Sequence, residues 1–166
     1  MENGREYLSI LTESLKKKIT ILDEILLLNQ KQLESVSGNE IDDDLFNEII
    51  DKKDIYIKEI NNLDKGFEQV YERIKSEITG NTDKFSSEIA ILKQLISQIT
   101  EKSMEVQLSE KRNKQAVLKK MSEEKTKIHQ TRNANKVASN YYNNMNKVNY
   151  VEPQFMDCLL YTSPRP

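Results

Sequence analysis

Residues 46–78 read FNEIIDKKDIYIKEINNLDKGFEQVYERIKSEI, and their apolar side chains recur mostly at alternating steps of three and four. This spacing lines up side chains on one face of an α-helix and is typical of a coiled-coil seam. The seam positions are Phe46, Ile49, Lys53, Tyr56, Ile60, Leu63, Phe67, Val70, Ile74 and Ile78. We interpret the polar one, Lys53, as a side chain whose stem lies on the seam while its ammonium group reaches water.

The same spacing occurs on both sides of this stretch. It predicts a first helix over about residues 5–35 and a third helix from residue 84. The first stripe consists of Leu8, Leu11, Leu15, Ile19, Leu22, Leu26, Asn29 and Leu33, and the third of Phe85, Ile89, Leu92, Ile96, Ile99, Ser103 and Val106, thinning to Val117, Met121 and Ile128.

Two short polar breaks separate the predicted helices. We expect Gly38 and Gly80 to end the first two helices in the left-handed conformation that glycine tolerates. We expect one of Asp42, Asp43 and Asp44 to cap the second helix, and Thr82 or Asp83 to cap the third. Gly66, inside the second helix, marks either a close approach of a neighbouring helix or nothing. Because the breaks are short, consecutive helices should be antiparallel neighbours.

The distribution of proline predicts that the third helix is the longest. All three prolines lie at residue 153 or later, and no breaker appears before the Asn-rich stretch at 143–149. A helix from 84 to about 142 would be roughly 90 Å long at about 1.5 Å per residue, against roughly 45–55 Å for the other two. We therefore predict an all-α fold, a three-helix antiparallel coiled-coil bundle with a long protruding C-terminal helix.

The charge distribution suggests a functional division of the chain. Residues 1–108 carry 14 Lys and Arg against 22 Asp and Glu, whereas residues 109–150 carry 10 against three. We interpret 1–108 as the body and 109–150 as a basic extension without a partner inside the chain, which predicts a site for a partner protein. The expected contacts are Val117, Leu118, Met121, Ile128 and Val137, with an acidic partner steered by the basic residues. The other interpretation is a solvated helix face.

Other functions receive less support from the sequence. His129 is the single histidine and the four glycines are isolated, so we predict neither an enzyme, a metal site nor a cofactor. No apolar run is long enough to cross a membrane, so we expect no stable membrane insertion. We also expect no nucleic-acid binding, because the acidic body would repel a polyanion. The single cysteine, Cys158, fits the reducing cytoplasm.

Several segments resemble flagellar export chaperones of the FlgN type from clostridia-like bacteria. They are Tyr7–Leu11 with Ser14–Lys18, Lys52–Ile57 with Leu63–Phe67 and Tyr71–Arg73, Ile99–Ser103, Tyr141–Met145 and Tyr150–Phe155. Together they span about residues 5–157. Each is a short stretch of sequence of the kind found in many coiled coils, and the order and spacing of the segments carry the resemblance.

This resemblance implies a cytoplasmic chaperone of flagellar type III protein export. Such proteins hold the hook–filament junction proteins, prevent their premature assembly and deliver them to the export gate at the membrane. The C-terminal helical region binds the substrate in that family, and a tyrosine near the C-terminus docks at the gate. Tyr150 is the candidate here, followed by Tyr141 and Tyr142; a packing role for these tyrosines is the alternative.

The end of the chain departs from the family. Residues 158–166, CLLYTSPRP, resemble translated sequencing-adapter read-through. We therefore interpret 151–166 as a tail of which 158–166 is non-native.

Two rival functions keep the helical shape. One is a structural coiled coil that self-associates as a homodimer, and the other is a chaperone for the filament cap or flagellin.

Overall fold

The computed structural model describes residues 2–123, and within them the chain is an all-α bundle of three helices. The helices are α1 (Glu2–Val36), α2 (Asp43–Gly80) and α3 (Ser86–Glu123). They contain 35, 38 and 38 residues, so each is about 52–57 Å long. The predicted fold class is confirmed for this part of the chain. The predicted protrusion of the third helix beyond Glu123 lies outside the described residues.

Contacts between the helices give their directions. Lys18 meets Asp64 while Asn29 meets Lys53, so α1 and α2 are antiparallel. Arg5 meets Glu88 and Lys102 meets Asp23, so α1 and α3 are parallel. The backbone of α1 lies close to both other helices, whereas α2 and α3 meet mainly through side chains. Helix α1 is therefore the central element of an up-down-up bundle.

The two breaks lie where the sequence predicts them, but their chemistry differs. Asp42 caps α2, its side chain accepting a hydrogen bond from the N–H of Leu45 at 3.1 Å. No glycine within residues 2–123 has a positive φ, so the predicted left-handed glycine ends are wrong. Instead Asn81 closes α2: its N–H donates to the Ile78 carbonyl and its Nδ2 to the Glu77 carbonyl, at 3.1 and 3.0 Å. Helix α3 then begins at Ser86, beyond both predicted caps.

The buried face of α1 differs from its predicted stripe after Leu15. It follows an unbroken alternation of three and four through Leu8, Leu11, Leu15, Lys18, Leu22, Ile25, Asn29, Gln32 and Val36. Ile19, Leu26 and Leu33, which we predicted on the seam, are only partly buried. Ile21, Leu28 and Ser35 are buried beside the seam. The face is wide because α1 contacts two helices.

At every second seam position of α2, the residue that faces the core is the one directly after the predicted residue. Ile50, Ile57 and Tyr71 are buried where we predicted Ile49, Tyr56 and Val70, although Ile49 is buried as well. Asp64 takes the position predicted for Leu63 and pairs with the buried Lys18 at 2.8 Å. The seam of α3 follows its predicted phase from Phe85 to Val106 and continues through Glu110, Asn113 and Val117.

Two glycines offer a direct test of this packing. A Cβ on Gly4 would lie 2.9 Å from Cζ of Phe85 and 2.8 Å from Oε1 of Glu77, whereas a Cβ on Gly66 would meet nothing within 4 Å. The close approach therefore occurs at Gly4, and Gly66 marks none.

We expect Gly66→Ala to raise the free energy of unfolding by up to about 1 kcal/mol, because alanine favours the helix. Gly4→Ala should lower it by about 1–2 kcal/mol, since overpacking costs roughly 1–3 kcal/mol and exceeds that gain. Urea unfolding followed by far-UV circular dichroism measures both. Equal stabilisation by the two substitutions would contradict the close contact between α1 and Phe85.

Candidate functional site

A cluster of buried polar side chains joins all three helices. It consists of Asn29 and Gln32 on α1, Lys53 on α2, and Glu110 and Asn113 on α3, and we call it the polar layer. All five residues occupy seam positions, and none is more than 5% exposed. The antiparallel and parallel pairings of the helices bring these positions to the same height in the bundle.

Lys53 lies at the centre of the polar layer. Its ammonium group donates to Oε1 of Glu110 at 2.7 Å, to Oδ1 of Asn29 at 2.6 Å and to Oε1 of Gln32 at 2.7 Å. An ammonium group has three N–H donors, and all three are used. The interpretation of Lys53 as a side chain reaching water is therefore wrong: its side chain is completely buried because acceptors on α1 and α3 replace water.

The amides complete the layer between α1 and α3. Nδ2 of Asn113 donates to the backbone carbonyl of Asn29 at 2.8 Å and to Oε1 of Gln32 at 3.0 Å. Nδ2 of Asn29 donates to Oγ of Ser109 at 2.7 Å. One donor is not satisfied, because Nε2 of Gln32 is buried without an acceptor among the described residues. A buried polar group without a partner costs roughly 1–3 kcal/mol, so the layer is not optimised for stability alone.

Burial shifts the protonation equilibria of the buried charges. Loss of solvation lowers the pKa of Lys53 from 10.5 to about 8, although the Glu110 carboxylate opposes the shift. The same cause lowers the pKa of Lys18, against the opposing effect of Asp64. It raises the pKa of Asp64, against the opposing effect of Lys18. These are the directions expected when the protein interior disfavours the charged form of each group.

The structure separates the sequence-predicted contact residues. Val117 and Met121 belong to the core, with Val117 only 2% exposed, so the prediction that α3 lacks a partner inside the chain beyond residue 108 is wrong as far as Met121. Leu118, by contrast, is 48% exposed. Ile128 and Val137 lie outside the described residues, as do the three candidate docking tyrosines Tyr141, Tyr142 and Tyr150.

The exposed side of α3 carries a second stripe that the sequence reading missed. Met104, Leu108, Lys111, Gln115 and Leu118 follow one another at steps of four and three, and we call them the outer stripe. Its three apolar members, Met104, Leu108 and Leu118, are 59%, 62% and 48% exposed. A search for a second heptad phase, offset from Val106 and Glu110, would have found it.

Basic side chains lie within and beside the outer stripe. Lys111, Arg112 and Lys119 are exposed and form no ion pair with any residue of 2–123. Lys120 differs from them, because it donates to the Gly38 carbonyl and lies near Glu123. The exposed face of α3 therefore combines apolar side chains with cations available to an acidic partner.

The helix face between α1 and α2 is less distinctive. Two adjoining surface depressions of about 490 and 430 Å³ share Lys17, Asn62 and Leu63, and Ile10 is exposed beside them. Their charged rims carry both signs, in Lys17, Glu13 and Glu59, so this face does not select a partner by charge.

Residues 2–123 meet the requirements of neither a membrane span nor a metal site. None of the three helices has the length and hydropathy needed to cross a membrane. Residues 2–123 contain no group of three or more His, Cys, Asp and Glu placed to hold a metal ion.

Comparison with other proteins adds no relative. No protein-family model matches the chain, and neither a curated protein nor a solved structure matches it. The resemblance to FlgN-type chaperones therefore stays a prediction from the sequence segments quoted above.

A double-mutant cycle tests the ion pair in the polar layer. We expect Lys53→Met and Glu110→Leu each to lower the free energy of unfolding by about 3–5 kcal/mol, because each leaves a buried charge without its partner. The double substitution should cost much less than the sum, since no charge remains. The exposed pair Glu72–Lys75 provides a control, with a coupling below about 1 kcal/mol. Additive costs at Lys53 and Glu110 would contradict the direct contact.

The same double variant reveals the titration of Lys53. Above pH 8 the folded protein releases a proton from Lys53 that the unfolded chain retains up to about pH 10.5. The free energy of unfolding of the wild type should therefore rise with pH over this window relative to Lys53→Met/Glu110→Leu, by at most about 3 kcal/mol at about 1.4 kcal/mol per pKa unit. Urea unfolding at pH 7, 8.5 and 10 measures the difference. A difference that stays constant would show that Lys53 keeps an ordinary pKa, and one that falls would show a raised pKa; either outcome contradicts the expected shift.

Proposed function

We propose that this protein is a cytoplasmic flagellar export chaperone that binds hook–filament junction proteins, prevents their premature assembly and delivers them to the export gate. The resemblance of the sequence segments suggests the family. The structural observation that carries the proposal is the outer stripe, whose helix face combines apolar side chains with cations that form no ion pair within residues 2–123. Catalysis forms no part of this function.

The outer stripe is suited to a helical partner segment with acidic flanks. Met104, Leu108 and Leu118 provide apolar contacts at coiled-coil spacing. Lys111, Arg112 and Lys119 provide charge complementarity, which accelerates association and favours acidic partners. A helix laid along another helix is a common mode of recognition. We assign the primary substrate contact to this stripe, with Leu118 retained from the sequence-predicted residues.

Binding of a purified junction protein tests the proposal. We expect Leu108→Asp and Leu118→Asp each to raise the dissociation constant at least about tenfold, because a carboxylate replaces an apolar contact in the interface. Ile55→Asp is the matched control, since Ile55 on α2 is also exposed, at 57%, and lies on another helix. Isothermal titration calorimetry measures all three variants. Equal weakening by Ile55→Asp, or no weakening by the α3 variants, would contradict the assignment.

Size measurement separates this function from self-association. The chaperone should be a monomer that forms a one-to-one complex with the junction protein. A stable dimer that Leu108→Asp dissociates would favour the structural coiled coil instead, with the outer stripe as its interface. Light scattering coupled to gel filtration distinguishes the two, and parallel titrations with filament-cap protein and flagellin distinguish the substrates.

A further inference from the structure

The polar layer divides the apolar core into two unequal parts. On the side of the α1–α2 loop lie Val36, Phe46, Ile50, Val117 and Met121, which we call the distal core. The other 18 residues of the buried apolar cluster lie on the opposite side of the layer, and we call them the main core. Even with the buried Ile49 added, the distal core is much smaller than the rest of the buried apolar residues, and along each helix the polar layer lies between the two parts of the seam.

The polar layer also lowers the free energy needed to separate the distal core from the main core, compared with an apolar layer at the same height. Opening the bundle at this height returns Lys53 and Glu110 to water and so restores solvation that burial removes. It also gives the buried Nε2 of Gln32 the hydrogen-bond partner that it lacks among residues 2–123. Local openings in proteins occur in cooperative units where apolar contacts are fewest.

We infer that the distal end of the bundle opens as a unit at the polar layer while the main core stays folded. The opening is a property of the free chain, and it exposes Val117 and Met121, which are buried in the closed bundle.

Cysteine labelling of the full chain tests the opening. In a Cys158→Ser background, which removes the single cysteine of the sequence, Val117→Cys and Val106→Cys place matched probes on the two sides of the layer. The two valines are 2% and 0% exposed on the same helix. We expect a thiol reagent to label residue 117 on the order of 100-fold faster than residue 106 under native conditions. Equal rates would overturn the inference, because they would mean that only global unfolding exposes the core.

A third probe distinguishes opening from fraying of helix ends. Leu8 lies six residues from the start of α1, as Val117 lies six residues from the last described residue of α3. The Leu8→Cys probe should be labelled much more slowly than residue 117, because no polar layer separates Leu8 from the main core. Equally fast labelling at both ends would overturn the inference in favour of ordinary fraying.

Replacing the charges tests the role of the polar layer. In the Lys53→Met/Glu110→Leu background, labelling at residue 117 should slow towards the rate at residue 106, and an unchanged ratio would overturn the role given to the layer. Where circular dichroism shows that this variant has lost helix, Lys53→Leu/Glu110→Met replaces it. That variant removes the same two charges with a different division of side-chain volume between α2 and α3, and the same two outcomes apply.

Discussion

The arrangement of this bundle depends on buried charges that find their partners in only one register. A heptad seam by itself is repetitive, and sliding one helix by seven residues places apolar side chains against apolar side chains again. Such a slide would bring Lys53 opposite Ser103 or Val117 in place of Glu110, and would leave an uncompensated charge in the core. The penalty for such a charge is roughly 3–5 kcal/mol, which is comparable with the whole stability of many small domains.

Each pair of helices has its own polar contact of this kind. Lys18 and Asp64 join α1 to α2, and Lys53 and Glu110 join α2 to α3. The side-chain amide of Asn113 joins α3 to α1 through the backbone carbonyl of Asn29 and Oε1 of Gln32. Apolar residues of similar size at these positions would give equal or greater stability in many proteins. The three contacts therefore act mainly on register and direction, and the free energy of folding comes from the apolar seams on both sides of them.

The sequence predicts the number of helices, both breaks and the phase of α3, because steps of three and four are regular and the breaks contain good capping residues. It does not predict the phase of α2, since Ile49 and Ile50, or Val70 and Tyr71, are adjacent apolar residues that fit either phase. Asp64 resolves the ambiguity only when Lys18 is known to face it. The candidate contacts were misplaced for a related reason: Glu110 and Asn113 look like solvent-facing residues until Lys53 is seen to bind them, and they carry the seam on to Val117 and Met121.

Three helices that run up, down and up have a consequence for the ends of the described rod. Residue 2 lies at one end and residue 123 at the other, because α1 and α3 run in the same direction. Their separation is about 55 Å, the length of one helix. Glu123 therefore lies beside the α1–α2 loop, far from residue 2. A label or fusion attached before α1 would stand at the opposite pole from Glu123, so labels at these two positions would be separated by the full length of the described rod.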